Sequence, residues 1–170
     1  LLIYAYPPAD EAPFDPAVFS DLGEVRNRHE RTDEEIRDAI IAFKPAAVLV
    51  SGWGDRGYLG NCRAMRRRSV PVIAGSDTKG TGSLRQRIAA LTSWLHVKRA
   101  IDDLWVTGAR QRVLANRLGY TGERWWEGYY SCDWNAFDRE QFVSTDSDPA
   151  RRHFLFVGRY VEEKGVATLM

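Results

Sequence analysis

The chain has 170 residues, of which 44% are hydrophobic and 28% are charged, and its formal net charge is +1. This length and composition are typical of about one globular domain. The near-neutral charge argues against a nucleic-acid partner held by overall electrostatic attraction. No apolar run reaches the roughly 18 residues that a membrane-spanning helix requires.

The first half of the chain alternates short apolar runs with helical patterns. Thr32 and Glu35 form a capping box, apolar residues then recur at helical spacing, and Pro45 ends that helix. The uninterrupted apolar run 46–50 is typical of a strand buried on both faces. The predicted strands in this half are 1–5, 24–29 and 46–50, and a second helix is predicted over 58–68.

The second half continues the alternation. A polar glycine-rich loop, 75–82, follows an apolar run, and Gly119 occupies the position of a left-handed helix cap. Apolar residues at helical spacing identify a helix over 83–99, at Leu84, Ile88, Leu91 and Leu95. The other predicted elements are strands at 70–74 and 104–107, an extended segment at 125–129 and a helix at 108–118.

Strands alternating with helices predict βαβ units, and therefore an α/β fold with a Rossmann-like, doubly wound parallel sheet. In such sheets, ligands bind beyond the carboxyl ends of the strands. This rule points to the loops 52–57 and 76–82. A polar stretch at 145–150 has no periodicity and predicts a linker, after which residues 153–157 begin a further strand.

The cysteines and histidines give no metal or disulfide pattern. Cys62 and Cys132 lie far apart without CxxC spacing, and His29, His96 and His153 are scattered. We therefore predict free thiols and no metal site.

The last segment, "FLFVGRYVEEKGVATLM", resembles the opening of the second domain in glycosyltransferase family 4, which has the GT-B fold. The residues that fall on that family's pattern are Gly158, Arg159, Glu163, Lys164 and Gly165. Upstream, "YYSCDWNAF" is similar to the segment that precedes the family's linker, although the usual Asn-Gly is absent. The segments "VPVIAGSD" and "DDLWVTGARQRVLANRLG" are similar to the family's succession of elements.

The resemblance implies the N-terminal half of a GT-B fold, truncated. Residues 1–146 would form a Rossmann-like, acceptor-side domain, residues 147–152 the linker, and residues 153–170 the start of the nucleotide-sugar donor domain. The rest of the donor domain is expected beyond the present end, and the N-terminus is expected to be clipped.

The resemblance also implies an activity, which is the transfer of a sugar from a nucleotide-diphosphate donor to a sugar, lipid-linked or small-molecule acceptor. The reaction is expected to retain the anomeric configuration and to need no metal or cofactor, and the truncated chain is expected to be inactive. The expected location is the cytoplasm, either free or at the inner face of the membrane.

Site residues follow from the resemblance. Gly158, Arg159 and Lys164 would bind the donor diphosphate, because Arg and Lys complement phosphate oxygens and a helix start favours anions. Asp77 stands near the position of a histidine that contacts the donor sugar in many relatives, so it is the candidate catalytic residue, with a helix cap as the alternative. The candidate acceptor-side loop residues are Trp53, Asp55, Arg56, Thr78 and Lys79.

Basic and aromatic residues form two further groups. One group indicates peripheral contact with anionic lipid, with an ordinary solvated helix face as the alternative; its members are Arg63, Arg66, Arg67, Arg68, Arg85 and Arg87. The aromatic group favours interdomain packing over sugar stacking; its members are Trp125, Trp126, Tyr129 and Tyr130.

Two other functions remain alternatives. A nucleotide-sugar 2-epimerase shares the GT-B scaffold, but its constellation of carboxylates and histidine is not evident here. A non-catalytic flavodoxin-like binding domain would want an acidic pair after the first strand, where this chain has Tyr6 followed by two prolines.

Overall fold

The computed structural model describes residues 1–6 and 21–130. Within these residues the chain is α/β, and its elements follow the predicted order. The strands are β1 (Leu2–Ala5), β2 (Glu24–Asn27), β3 (Val48–Val50), β4 (Val72–Ser76), β5 (Asp103–Val106) and β6 (Trp125–Glu127). The helices are α1 (Asp33–Phe43), α2 (Arg56–Arg66), α3 (Leu84–His96) and α4 (Ala109–Arg117).

All strand pairs in the described residues are parallel. β1 pairs with β2, and the other four strands form one sheet in the order β3-β4-β5-β6. In this sheet Ala74 lies opposite Leu104, which in turn lies opposite Trp125. Helices connect β3 to β4, β4 to β5 and β5 to β6, as parallel neighbours require. The prediction of a Rossmann-like α/β fold is confirmed, whereas its identity as half of a GT-B fold stays a prediction.

Local signals in the sequence set the ends of the helices. The Thr32 hydroxyl accepts from the Glu35 amide at 3.2 Å, and the Glu35 carboxylate accepts from the Thr32 amide at 2.8 Å, so the capping box is confirmed. α1 ends at Lys44, which adopts the left-handed conformation with φ of 52°. After α4, Gly119 has φ of +84°, as its predicted cap role requires.

The core lies between the four-stranded sheet and the helices packed against it. Its fully buried members include residues of β4 and β5, of the turn after α3, and of α4 with the segment that follows it: Val72, Ala74, Val97, Ala100, Ile101, Leu104, Val106, Ala115 and Tyr120. β3 departs from the prediction, because Leu49 is 57% exposed. The expectation that the run 46–50 is buried on both faces is therefore wrong.

Helix α3 packs its small residues, and not its large apolar residues, against the core. Its small residues face inward: Ser93 is buried and donates to the carbonyl of Leu118 at 3.2 Å, and Ala90 packs against the core. Its large apolar residues face outward: Leu84, Ile88, Leu91, Trp94 and Leu95 are all exposed, Leu91 by 76%. The helical periodicity therefore predicted the helix, while its large apolar side chains remain outside the core of the chain.

The chain divides into two compact units, Leu1–Ser131 and Cys132–Met170, and all described elements belong to the first. The predicted linker at 147–152 and the predicted donor-domain start at 153–170 lie outside the described residues. Among the described helices, none has both the length and the hydrophobicity needed to cross a membrane.

Tyr120 provides a test of the core. Its hydroxyl is buried and donates to the carbonyl of Ile101 at 3.2 Å. Tyr120→Phe is therefore expected to lower the free energy of unfolding by about 1 kcal/mol, because it leaves a buried carbonyl without this donor. Urea unfolding measures the effect. Tyr130→Phe is the control, because the Tyr130 hydroxyl is also hydrogen-bonded but its side chain is exposed. This variant should lose less stability. An equal loss of unfolding free energy in the two variants would contradict the role of the buried Tyr120 hydroxyl.

Candidate functional site

Polar side chains follow the carboxyl ends of five strands. Tyr6 follows β1, Arg28 follows β2, Asp55 lies in the loop after β3, Asp77 follows β4, and Tyr130 lies beyond β6. They form two groups. We call the first the Asp55 cluster; it consists of Tyr6, Arg28, Asp33, Asp55 and Tyr58. We call the second the Asp77 cluster; it consists of Asp77, Gln111, Tyr129 and Tyr130.

Asp55 is at the centre of the first cluster because it is the N-cap of α2. Its Oδ1 accepts from the amides of Gly57 and Tyr58 at 2.7 and 3.1 Å. Its Oδ2 accepts from the Tyr6 hydroxyl and lies 3.5 Å from Nε of Arg28. Both carboxylate oxygens are therefore occupied, which makes Asp55 a fixed structural group.

Arg28 joins the start of α1 to the start of α2. Its guanidinium contacts the carboxylates of Asp33 and Asp55 and lies over the ring of Tyr58, 5.2 Å from its centroid. The side chain is largely buried, and its Nε has no hydrogen-bond partner in the described part of the chain. A buried guanidinium needs such counter-charges, so the two aspartates hold the arginine in place.

The electrostatics of the Asp55 cluster favour the charged forms of Asp55 and Arg28 and the neutral form of Tyr58. Burial would raise the pKa of Asp55, but the Tyr6 hydroxyl, the two α2 amides and Arg28 outweigh it and lower that pKa. Burial would lower the pKa of Arg28, and Asp33 and Asp55 raise it instead. Burial raises the pKa of Tyr58 to about 12. Arg28 therefore forms an ion-paired network with Asp33 and Asp55.

The open side of the Asp55 cluster is aromatic. The rings of Tyr6 and His29 meet edge to face with centroids 5.2 Å apart, and both side chains are exposed. Tyr58 lies behind Tyr6 and donates to the carbonyl of Tyr4 at 3.2 Å. This surface places an aromatic edge beside polar groups that are already hydrogen-bonded.

The Asp77 cluster is more accessible. The Tyr130 hydroxyl donates to Oδ2 of Asp77 at 2.7 Å, and this bond raises the pKa of Tyr130 to about 12. Gln111 of α4 donates to the Asp77 carbonyl at 3.0 Å, which fixes the backbone. Within the described residues, Oδ1 of Asp77 has no hydrogen-bond partner. Asp77 is exposed, and no described residue occupies this carboxylate oxygen.

Tyr129 connects the Asp77 cluster to the sheet. Its amide donates to the carbonyl of Val106 at 3.1 Å, and its ring stacks on Tyr130 with centroids 5.1 Å apart. The ring lies against Gly75 of β4, where a Cβ atom would overlap it. Glycine at this position therefore allows the tyrosine pair to reach Asp77.

The glycine-rich loop after Asp77 is tied to α3 by one side chain. Gln86 accepts from the amides of Thr81 and Gly82 at 2.8 and 3.2 Å and donates to the carbonyl of Lys79 at 2.8 Å. The backbone of the loop is thereby held, while the side chain of Lys79 remains exposed.

The predicted acceptor-side residues lie in two loops, 52–57 after β3 and 76–82 after β4. Trp53 is half-buried and packs against the core, and Asp55 is a helix cap. Arg56, Thr78 and Lys79 are exposed. Within the described residues, no hydrogen bond or salt bridge joins the predicted residues of the two loops. The predicted diphosphate-binding residues lie outside the described residues: Gly158, Arg159 and Lys164.

Seven residues of the two clusters were not among the predicted site residues: Tyr6, Arg28, Asp33, Tyr58, Gln111, Tyr129 and Tyr130. Tyr6 and Arg28 directly follow β1 and β2, so the rule that ligands bind at strand carboxyl ends would have indicated them. Tyr130 was assigned to aromatic packing, and its contact with Asp77 spans residues far apart in sequence, which no local signal reveals.

Comparison with known proteins adds no assignment. No protein family, curated protein or solved structure matches the chain.

Proposed function

We propose that the chain is the acceptor-side part of a glycosyltransferase that moves a sugar from a nucleotide-diphosphate donor to an acceptor, with retention and without a metal. The observation that carries the proposal is the Asp77 cluster, which places a hydrogen-bonded, accessible carboxylate after a central parallel strand. Ligands of open parallel sheets bind at this edge.

Asp77 is the residue that we assign to the reaction. Because Tyr130 and Gln111 hold its side chain and backbone, the carboxylate is oriented before a substrate arrives. A carboxylate oxygen accepts hydrogen bonds from sugar hydroxyls and stabilises positive charge that develops at an anomeric carbon. In this proposal Asp77 positions the transferred sugar and acts where many relatives of the resembled family use a histidine.

The donor side of the proposal comes from the resemblance of the last segment. Arg159 and Lys164 would balance the charge that develops on the leaving diphosphate, and Gly158 would let the backbone approach it. Both cations would act together with Asp77 only in a chain that also contains a complete donor domain. The acceptor is a sugar, a lipid-linked sugar or a small molecule.

The test uses the protein encoded by the complete reading frame and a panel of nucleotide sugars. Lys164→Ala is expected to reduce kcat by about a hundredfold, because it removes a contact to developing charge. Lys44→Asn is the matched control: it also removes one lysine charge, at the left-handed cap of α1, where asparagine is tolerated. It should leave sugar transfer unchanged.

The outcomes separate the two sides of the site. Loss of transfer in Asp77→Asn with unchanged donor affinity would support the role of Asp77 toward the sugar. Full activity in Lys164→Ala would contradict the diphosphate role. Sugar transfer by the 170 residues alone would contradict the proposal that the donor half is needed. Interconversion of the nucleotide sugar at C2 without transfer would favour an epimerase.

A further inference from the structure

Helix α3 presents a continuous apolar stripe to solvent. The side chains at Leu84, Ile88, Leu91 and Leu95 recur at intervals of three or four residues, so they lie on one face. Trp94 lies beside this row, and the exposed fractions of the five side chains range from 44% for Leu95 to 76% for Leu91. Five large apolar residues together on one helix are more than scattered surface exposure and indicate an interaction surface.

The same part of the molecule has a strongly biased charge. Residues 56–68, which include α2, and residues 84–99, which include α3, contain nine of the 24 basic residues and no aspartate or glutamate. The nine are Arg56, Arg63, Arg66, Arg67, Arg68, Arg85, Arg87, Lys98 and Arg99. Since the whole chain has a net charge of only +1, this positive charge is concentrated locally.

A groove of about 890 Å³ joins the basic residues to the apolar stripe. Five arginines and two aspartates line it, together with Leu95 of the stripe. The aspartates are already paired, Asp102 with Arg66 at 2.8 Å and Asp103 with Arg124 at 3.0 Å. The remaining groove arginines form no salt bridge within the described residues; they are Arg63, Arg67 and Arg99.

Arg99 links the two features directly. Its guanidinium lies over the ring of Trp94, 5.7 Å from the ring centroid. A positive charge therefore lies beside an exposed indole, and indole rings favour the boundary between headgroups and hydrocarbon. We define the docking face as α3 with its apolar stripe and the arginine-lined groove beside it.

We propose that the docking face binds the surface of an anionic membrane, with the apolar stripe of α3 inserted at the headgroup boundary and the arginines on lipid phosphates. The exposed face of α3 carries large aliphatic residues and tryptophan, and the only charged side chains of the helix beside them are basic, as in helices that lie at a membrane interface. This inference does not depend on the proposed transferase activity.

Charge and composition favour lipid over other occupants. A second copy of the chain would bring a like-charged face against this one, which is unfavourable. A nucleic acid would contact the arginines but would leave the aliphatic side chains exposed. An anionic lipid surface satisfies both features together, because phosphates pair with the arginines and acyl chains cover the stripe.

Cosedimentation of the 170-residue chain with vesicles tests the proposal. Binding is expected to vesicles of equal parts phosphatidylcholine and phosphatidylglycerol and to be much weaker to phosphatidylcholine alone. Leu91→Gln is expected to lower the partition coefficient about tenfold, because a leucine that would insert at the headgroup boundary is lost. The double variant Arg85→Glu with Arg87→Glu is expected to lower the partition coefficient by at least about 25-fold, because each basic residue near an anionic surface contributes roughly fivefold.

Matched variants elsewhere on the chain are the controls. Phe43→Gln removes a half-exposed apolar side chain of α1, and Arg110→Glu with Arg117→Glu makes the same charge change on exposed positions of α4. Both should bind anionic vesicles like the parent chain. Circular dichroism and thermal unfolding of every variant establish that the fold is retained.

Several outcomes would overturn the proposal. One is that the parent chain does not bind anionic vesicles at low ionic strength. Another is that Leu91→Gln binds anionic vesicles as well as the parent. Binding would then come from basic charge alone, without the apolar stripe. A third is that the docking face mediates dimers. A fourth is that the chain binds a nucleic-acid duplex but not vesicles, and that Leu91→Gln leaves the affinity for the duplex unchanged.

Discussion

Asp55→Ala is expected to lower the free energy of unfolding by about 3 kcal/mol, of which about 1 kcal/mol is the lost N-cap of α2 and the remainder the loss of a counter-charge for buried Arg28. Asp55 accepts from two amides of α2 and from Tyr6 and pairs with Arg28, so one substitution removes four contacts. Asp33 still faces Arg28, which limits the loss. Urea unfolding at neutral pH measures it.

Asp55→Asn separates the two parts of this effect. Asparagine caps a helix about as well as aspartate but has no charge for Arg28, so the loss should be about 2 kcal/mol. The pH dependence has a defined sign. Because the folded-state pKa of Asp55 is lowered below its usual 3.8, the stabilisation is present above that value and disappears as pH falls through the folded-state pKa. Parent and Asp55→Asn should therefore converge in acid; a difference that persists there would contradict the charge assignment.

Gly75→Ala is expected to lower the free energy of unfolding by about 3 kcal/mol, the upper part of the range for overpacking. A methyl group at this buried position of β4 would overlap the ring of Tyr129, so the ring must move. Because Tyr129 stacks on Tyr130, the bond from Tyr130 to Asp77 should weaken as well. Urea unfolding measures the stability, and spectrophotometric titration should show the pKa of Tyr130 falling from about 12 toward 10.

Gly60→Ala is the matched control for this substitution. Gly60 lies in α2, where a Cβ atom would meet nothing within 4 Å, so alanine is expected to stabilise the helix by about 0.5 to 1 kcal/mol. If Gly75→Ala were as stable as the parent, or if the Tyr130 titration did not change, the close approach of Tyr129 to β4 would be wrong.

The order and type of the elements could be predicted from the sequence because their signals are local. Thr32 and Glu35 lie one helical turn apart, and their capping box forms as the spacing indicates. Gly119 ends a helical pattern and adopts the left-handed conformation. These interactions depend on neighbours in sequence, so the fold class followed from them.

Burial and partner choice could not be predicted in the same way, because they depend on tertiary contacts. The apolar row of α3 has the spacing of a core-facing helix, yet Ser93 faces the core and Leu91 faces solvent. Leu49 lies within an apolar run and is exposed. Hydrophobic spacing identifies a face but does not determine what covers it.

The candidate site shows the same division. Asp55 and Asp77 were found because they follow strands, which sequence patterns locate. Arg28 and Tyr130 were missed as their partners, since the contacts connect residues 27 and 53 positions apart, counted from Arg28 to Asp55 and from Asp77 to Tyr130. The capping bonds of Asp55 are local, whereas the other contacts of the two carboxylates depend on these distant partners.

The buried thiol of Cys62 has a practical consequence for measuring these effects. Cys62 lies on α2 inside the core, and burial raises its pKa to about 11. At pH 7 about one such thiol in ten thousand is ionised, and alkylating reagents attack only the thiolate. In a Cys132→Ser background, alkylation of Cys62 would require the helix to separate from the sheet. The rate of labelling would then report the free energy of native-state opening without denaturant or an added probe.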